Sequence, residues 1–344
     1  MKTLRILPSL LLVATLLTGC KAFNTLTDSR LKAAQGRPYE LVLVANQPVW
    51  SGALGDSLRA LLLAPIDYLP QQEPEFDLLR VTPDGFRNII VDHRNILKVL
   101  IDPSLTEASV AVQYNVTADP QIVLTLQGPS EQRLIDYLAE HGDKVVYAIK
   151  QAERDRAIAF ARKFGTPAVE KAVQERFGVT MHVPKGYILA ANEADFIWAR
   201  YELPTASQGF AMYSYPADGV KSLSEEALLA ARNRFVKRIP GPAEGSYMTT
   251  SPVFAPIARP FRLEGRLWVE LRGFWDVEGD FMGGPFVSYS TIDSTTNRVV
   301  TLDCYVFAPE LPPHKRNLMH GVEHLLYTLS FPTATHTDST QSAQ

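Results

Sequence analysis

His320-Gly321-Val322-Glu323-His324 spells an H-x-x-E-H string. On a helix its two imidazoles sit one turn apart and would hold zinc, with Glu323 as general base on a metal-bound water, as in inverted zincins. Such a site needs a third protein ligand, and Asp338 is the only acid downstream. Helical angles set His320, Glu323, His324 and Tyr327 opposite Leu318, Val322, Leu325 and Leu329, so the expected reading is the solvated side of a surface helix. Asp92-His93-Arg94-Asn95 would either cluster polar groups in a cleft or satisfy its own backbone at a strand edge. The second is the expectation. Gly283-Gly284-Pro285, between aromatic strands, suits a hairpin-like corner, with a candidate binding loop as the alternative. No G-x-S-x-G elbow, Walker loop, Rossmann glycine series or C-x-x-C pair is present.

The two cysteines divide sharply in context. Cys20 closes MKTLRILPSLLLVATLLTGC, in which Lys2 and Arg5 precede a short apolar run and Leu17-Thr18-Gly19 lead directly into the thiol. The run is too short to span a bilayer comfortably and marks processing. Its ending resembles the bacterial lipobox, which implies diacylglycerol on the Cys20 sulfur and, after cleavage, an acyl chain on its new amine. Each buried methylene contributes roughly 0.8 kcal/mol, so two or three chains hold a protein on a membrane. No other cofactor is expected. Cys304 is then left without an intramolecular partner. It alternates with Val300, Leu302 and Val306 on one strand face and reads as a small buried hydrophobe.

The elements that would position these residues suggest an α+β fold, with mixed or antiparallel sheets flanked by helices. A signal peptide (1–19) and a lipidated tether (20–37) precede an N-terminal half (38–178) and a C-terminal half (179–331). A polar tail, 332–344, is expected to be disordered. Strands are predicted at 39–45, 76–81, 96–101, 108–116 and 121–127, followed by a long helix from Ser130 to about Phe164 whose dense charges belong on solvated faces. Thr166-Pro167 opens a further helix that Gly178 ends. Strands are predicted at 179–183, 187–191, 196–202 and 209–215. Ser222-Leu-Ser-Glu225 reads as a capping box for a helix to about Arg238. Three long strands across 263–289 and 298–307 and a helix over 315–329 complete the body. In both halves a last strand runs through Gly-Pro or Ala-Pro into a closing helix, which raises duplication of one unit as an expectation.

The chain's 34 basic and 37 acidic residues give a net charge of −3, and no basic run offers a footprint for nucleic acid. With 46% hydrophobic and 21% charged residues the body is globular. Asp293-Ser294-Thr295 and Asp338-Ser339-Thr340 resemble the short acceptor sites of bacterial O-glycosylation.

Gly273-Phe-Trp-Asp-Val-Glu-Gly-Asp-Phe-Met-Gly-Gly-Pro-Phe-Val-Ser-Tyr-Ser290 is the most distinctive stretch. With Arg94-Asn95-Ile96 and the segment around Trp50 and Gly55-Asp56-Ser57, it resembles a family of Bacteroidota lipoproteins catalogued as domain of unknown function 4837, over roughly residues 38–330. The resemblance implies an anchored envelope protein and brings no catalytic residues with it. Lys21 to Thr27 lack the acidic tag that surface lipoproteins of such bacteria carry, which implies an outer-membrane protein facing the periplasm. The expected function is a non-catalytic binding or adaptor lipoprotein whose partners are the membrane, through its anchor, and an unidentified envelope protein or component. The alternative is a periplasmic hydrolase, in its zinc-dependent form built on His320, Glu323 and His324.

Overall fold

The computed structural model describes residues 31–310 and 314–332. Cys20, the signal peptide, the start of the tether and Asp338-Ser339-Thr340 lie outside them.

The first half runs β1 (Lys32–Ala33), β2 (Glu40–Val44), α1 (Gln47–Ser51), α2 (Ala53–Leu62), β3 (Asp77–Val81), β4 (Asn95–Ile101), β5 (Ser109–Tyr114), β6 (Ala118–Asp119), β7 (Ile122–Gly128) and α3 (Glu131–Lys163). Its sheet has the order β3-β2-β4-β7-β5, parallel except for β5. The inner strand β2 is apolar on successive residues because both of its faces are covered. Leu41 and Leu43 pack towards α1, α2 and α3, while Val42 and Val44 pack with Ile96, Val123, Phe86 and Ile90. The end of the expected tether is held against this half, since β1 pairs with β6. The α3 helix starts where Ser130 Oγ accepts the Arg133 amide. Its buried stripe, Leu134, Leu138, Val145, Ile149 and Ala152, follows helical spacing.

The second half begins before residue 179, because Val169, Ala172 and Val173 pack into its core; it contains α4 (Pro167–Phe177), β8 (Ile188–Asn192), β9 (Phe196–Glu202), β10 (Ser207–Pro216), α5 (Glu225–Val236), β11 (Tyr247–Thr250), β12 (Ile257–Leu263), β13 (Arg266–Glu278), β14 (Gly283–Asp293), β15 (Arg298–Phe307) and α6 (Lys315–Glu323). Eight strands form one antiparallel sheet in the order β11-β13-β14-β15-β10-β9-β8, with β12 also on β13. Helices α4 and α6 cover one face, over Met212, Val287, Leu302 and Cys304. Helix α5 covers the other, over Tyr213, Trp275 and Phe286. Beneath α5 a fully buried pair, Arg232 Nε to Asp303 Oδ2 at 2.8 Å, lies against the Phe286 ring. The molecule is α+β, with one mixed and one antiparallel sheet.

Several local expectations change. Residues 179–183 form no strand; they join the C-terminal segment by a bridge, Thr180 to Ser330, and by hydrogen bonds between His182 and Thr328. Helix α5 is capped by Ser224, whose hydroxyl accepts the Ala227 amide, not by Ser222. The closing helix ends at Glu323 and tightens into a 3-10 turn, His324–Thr328. The two halves do not repeat one another: a mostly parallel sheet of five strands stands beside a fully antiparallel one of eight. Among the described residues no helix is long and apolar enough to cross a membrane.

Candidate functional site

Helix α6 sits in the joint between the halves, and what seats it there decides the fate of the H-x-x-E-H string. Its N-cap, His314, supplies no side-chain cap. Glu73 of the first half does so instead, its carboxylate accepting the Lys315 amide at 2.9 Å and the Arg316 amide at 3.2 Å. Arg316, itself buried, reaches across to the Pro74 carbonyl and Asp77. The face opposite the leucine stripe is therefore turned into the first half and not into solvent. His320 is 5% exposed and His324 9%. This overturns the surface-helix expectation: amphipathicity identifies a polar face but does not say what covers it.

Both ring nitrogens of His320 face acids. Nδ1 lies 2.8 Å from Glu323 Oε2. Nε2 lies 3.2 Å from Glu75 Oε1, close enough for charge pairing but misaligned for a hydrogen bond. Tyr39, held at φ 62°, stacks on the imidazole with centroids 4.4 Å apart. Lys150 donates to Glu75 at 2.9 Å, and Arg272 donates to Glu323. Burial opposes ionisation of Glu323, but Arg272 and His320 outweigh it and hold its carboxyl far below the usual range. Burial likewise opposes the His320 imidazolium, and Glu323 followed by Glu75 overcomes it, so His320 is raised. His324 meets the opposite environment. Burial and the charge on His320 push it down to about 3. Its Nε2 shares a 3.2 Å hydrogen bond with the Tyr39 hydroxyl, and its Nδ1 has no partner.

Glu323 and both nitrogens of His320 are thus taken by neighbouring side chains, while His324 turns to Tyr39. Among the described residues no three His, Cys, Asp or Glu side chains are grouped to hold a metal ion.

Beside this network a cavity of about 440 Å³ opens between the halves, lined by Tyr39, Arg94 and Glu153 from one side and Gln208, Gly321 and His324 from the other. Arg156, Asn317 and the apolar Pro38, Phe160 and Pro184 also line it. Glu153, 2% exposed, accepts Arg94 Nη2 at 2.6 Å, Arg156 Nη1 at 2.9 Å and Asn95 Nδ2 at 2.7 Å. The segment Asp92 to Asn95 satisfies its own backbone in part, His93 Nδ1 lying 3.3 Å from the Asn95 carbonyl and 3.5 Å from its amide, and it also faces other elements. His93 Nε2 pairs with Glu40 at 2.9 Å, and Arg94 reaches the cavity. Glu153 and Arg156, expected on a solvated face, continue the buried stripe of α3 beyond Ile149 by steps of four and three. That continuation was the signal available for them. Tyr39, Glu75, Lys150 and Arg272 carried no such mark.

Gly283, Gly284 and Pro285 are not a corner but the first residues of β14, paired with Asp276, Trp275 and Phe274. A Cβ on Gly284 would stand 2.2 Å from the Val306 carbonyl that accepts the Trp275 indole N–H. Both glycines border a hollow of about 570 Å³ with Tyr68, Phe254 and Phe274. A larger cleft, about 860 Å³, lies on the antiparallel sheet over Trp198, Trp275 and Tyr305. It lacks the convergent buried charges of the cavity between the halves. Cys304 is buried as its alternation requires, and burial pushes its thiol well up.

Comparison with known proteins divides the chain at the same joint. Residues 34–161 match the model described as domain of unknown function DUF8532. No curated protein matches. Among solved structures, LpqN of Mycobacterium tuberculosis, described as involved in cell envelope biogenesis, is 14% identical over 45% of this chain and 83% of its own, with a TM-score of 0.28. The lipid transfer and protein localization domain of human StarD13 is 10% identical over 47% of this chain and 95% of its own, with a TM-score of 0.22. At these TM-scores neither likeness bears on function. Within the stretch 38–330 over which the resemblance was expected, residues 166–328 match the model described as domain of unknown function DUF4837.

Proposed function

We propose that this protein is a lipid-anchored component of the cell envelope that binds a small ligand between its two halves without transforming it. The anchor is Cys20, and the folded body faces the periplasm from the outer membrane. The lipobox-like ending at Cys20 and the missing acidic tag support this placement. The observation that carries the binding reading is the cavity of about 440 Å³, within the size range of ligand sites and combining an apolar wall with a few converging polar groups. Strongly perturbed titration beside a cavity, as at His324, is a further mark of such sites. Glu75, Glu323 and His320 of the joint are paired with one another, which supports binding over hydrolysis.

The test is to extract the full-length protein from membranes, denature it and identify the small molecules released. Gly321→Leu serves as the blocked control, because a side chain at Gly321 enters open space with Gln208 Oε1, at 3.8 Å, its only neighbour within 4 Å. One recurrent compound near equimolar amount, lost in Gly321→Leu, is the expected result. Equal recovery from both proteins, or none from either, removes the binding reading. For the anchor, Cys20→Ala should move the protein from the membrane to the soluble fraction.

A further inference from the structure

The charges and hydrogen-bond donors of the cavity between the halves restrict what it can hold. Two guanidiniums, Arg94 and Arg156, face one carboxylate, Glu153. Glu153 is shared among three donors, Arg94 Nη2, Arg156 Nη1 and Asn95 Nδ2, so neither guanidinium has it alone. Arg156 has a second, exposed countercharge in Asp155, with which it borders an adjoining hollow, whereas Arg94 pairs with Glu153 and with no other acid among the described residues. Arg156 is otherwise satisfied by Asn95 Oδ1 at 2.8 Å and the Arg94 carbonyl at 2.8 Å. Arg94 is not. Among the described residues its Nε–H is buried without an acceptor, a condition that calls for an explanation in folded proteins. Lone buried charges are costly unless paired.

Resting on the ligand-binding reading above, we infer that the ligand is a carboxylate with an apolar body, its anionic head placed at Arg94 and Arg156. A carboxylate supplies the acceptor that Arg94 Nε–H lacks and fits the planar donor fork of arginine. A phosphate monoester, at about −1.5 to −2 near pH 7, would bring more charge than one open guanidinium edge answers. Pro38, Pro120, Phe160 and Pro184 give the wall an apolar stretch, while the polar Gln208 and Asn317 are engaged by Tyr187 and by Pro38 and Arg316, so the remainder of the ligand is apolar. His324 and Tyr39 are neutral there and add no charge.

Calorimetric titration of the delipidated full-length protein with three probes tests this: sodium octanoate, 1-octanol and inorganic phosphate. Octanoate should bind saturably. Octanol should bind about ten-fold or more weakly, the loss of one charge-assisted contact. Phosphate should not compete. Arg94→Gln should weaken octanoate by a similar factor, Arg94→Lys by less, and Gly321→Leu should abolish binding while far-ultraviolet dichroism stays unchanged. If Arg94→Gln does not fold, the contrast between octanoate and octanol on the native protein, with Gly321→Leu as control, still decides. Equal binding of octanoate and octanol overturns the anionic head. Phosphate binding without octanoate binding overturns the carboxylate. Failure of all three probes overturns this ligand class; the binding reading falls with it only if the released-compound comparison with Gly321→Leu is also blank.

Discussion

His320 and His324 stand one turn apart, yet their surroundings drive their titrations in opposite directions. His320, between Glu323 and Glu75, has a folded pKa above its ordinary 6.5. Its charge contributes stability that is complete below the unfolded value and is lost as pH rises through the folded one. His324, buried beside a cation, has its pKa lowered to about 3 and must fold neutral. Its contribution is complete above 6.5 and is lost as pH falls towards 3. Glu75 and Glu323, both lowered from 4.5, weaken the fold only in stronger acid. Stability should therefore be greatest near pH 6.5 and decline on both sides. Urea midpoints near pH 5, 6.5 and 8.5 would measure this. His320→Gln should flatten the alkaline limb, and His324→Gln the acid limb between 6.5 and 4.5. A native midpoint that does not move across this range would contradict the paired environments. The residue types of this site were legible in the sequence, but their environment was not. Tyr39 and Glu75 lie more than two hundred positions from His320, and nothing local announces that they will meet it.

At the scale of elements, α3 and α6 explain both what the sequence disclosed and what it withheld. The Ser130 cap, the length of α3 and the Gly178 stop of α4 follow from local chemistry and appear where they were expected. What local chemistry cannot supply is the covering partner. Charges on α3 at Glu153 and Arg156, and on α6 at His320 and Glu323, look like solvent faces until the second half is laid against the first. The same partner caps α6, so Glu73→Ala should cost about 2 kcal/mol or more, since two buried amides lose their acceptor. Gly321 gives the opposite expectation. Glycine inside a helix is less favourable than alanine by about 0.5–1 kcal/mol. A Cβ there meets nothing nearer than 3.8 Å, so Gly321→Ala should stabilise by about that amount. Denaturant titration measures both; a destabilised Gly321→Ala would mean that the cavity wall does not have the room ascribed to it.

For the whole molecule, the joint determines whether two differently built sheets behave as one body. The second core includes Met319, Val322, Leu325 and Leu326 of the closing segment, while the N-terminus of α6 is capped and clasped by Glu73, Pro74 and Asp77 of the first half. Unfolding the first half therefore uncaps a helix on which the second core depends. Buried Arg316 and the Arg272–Glu323–His320–Glu75–Lys150 chain make separation costlier still, because a charge stripped of its partner in a dry interface typically costs about 3–5 kcal/mol. These couplings predict a single calorimetric transition for the native protein, with calorimetric and van't Hoff enthalpies equal. Glu73→Ala combined with Arg316→Met removes the cap and the clasp without entering either sheet. The transition should then split, the second half melting first. The four tryptophans distinguish the halves, since Trp50 alone lies in the first, whereas Trp198, Trp268 and Trp275 lie in the second. In the double variant, fluorescence from the latter three should therefore change before that of Trp50. Two transitions in the native protein, or one in the double variant, would show that cooperativity arises elsewhere than at α6.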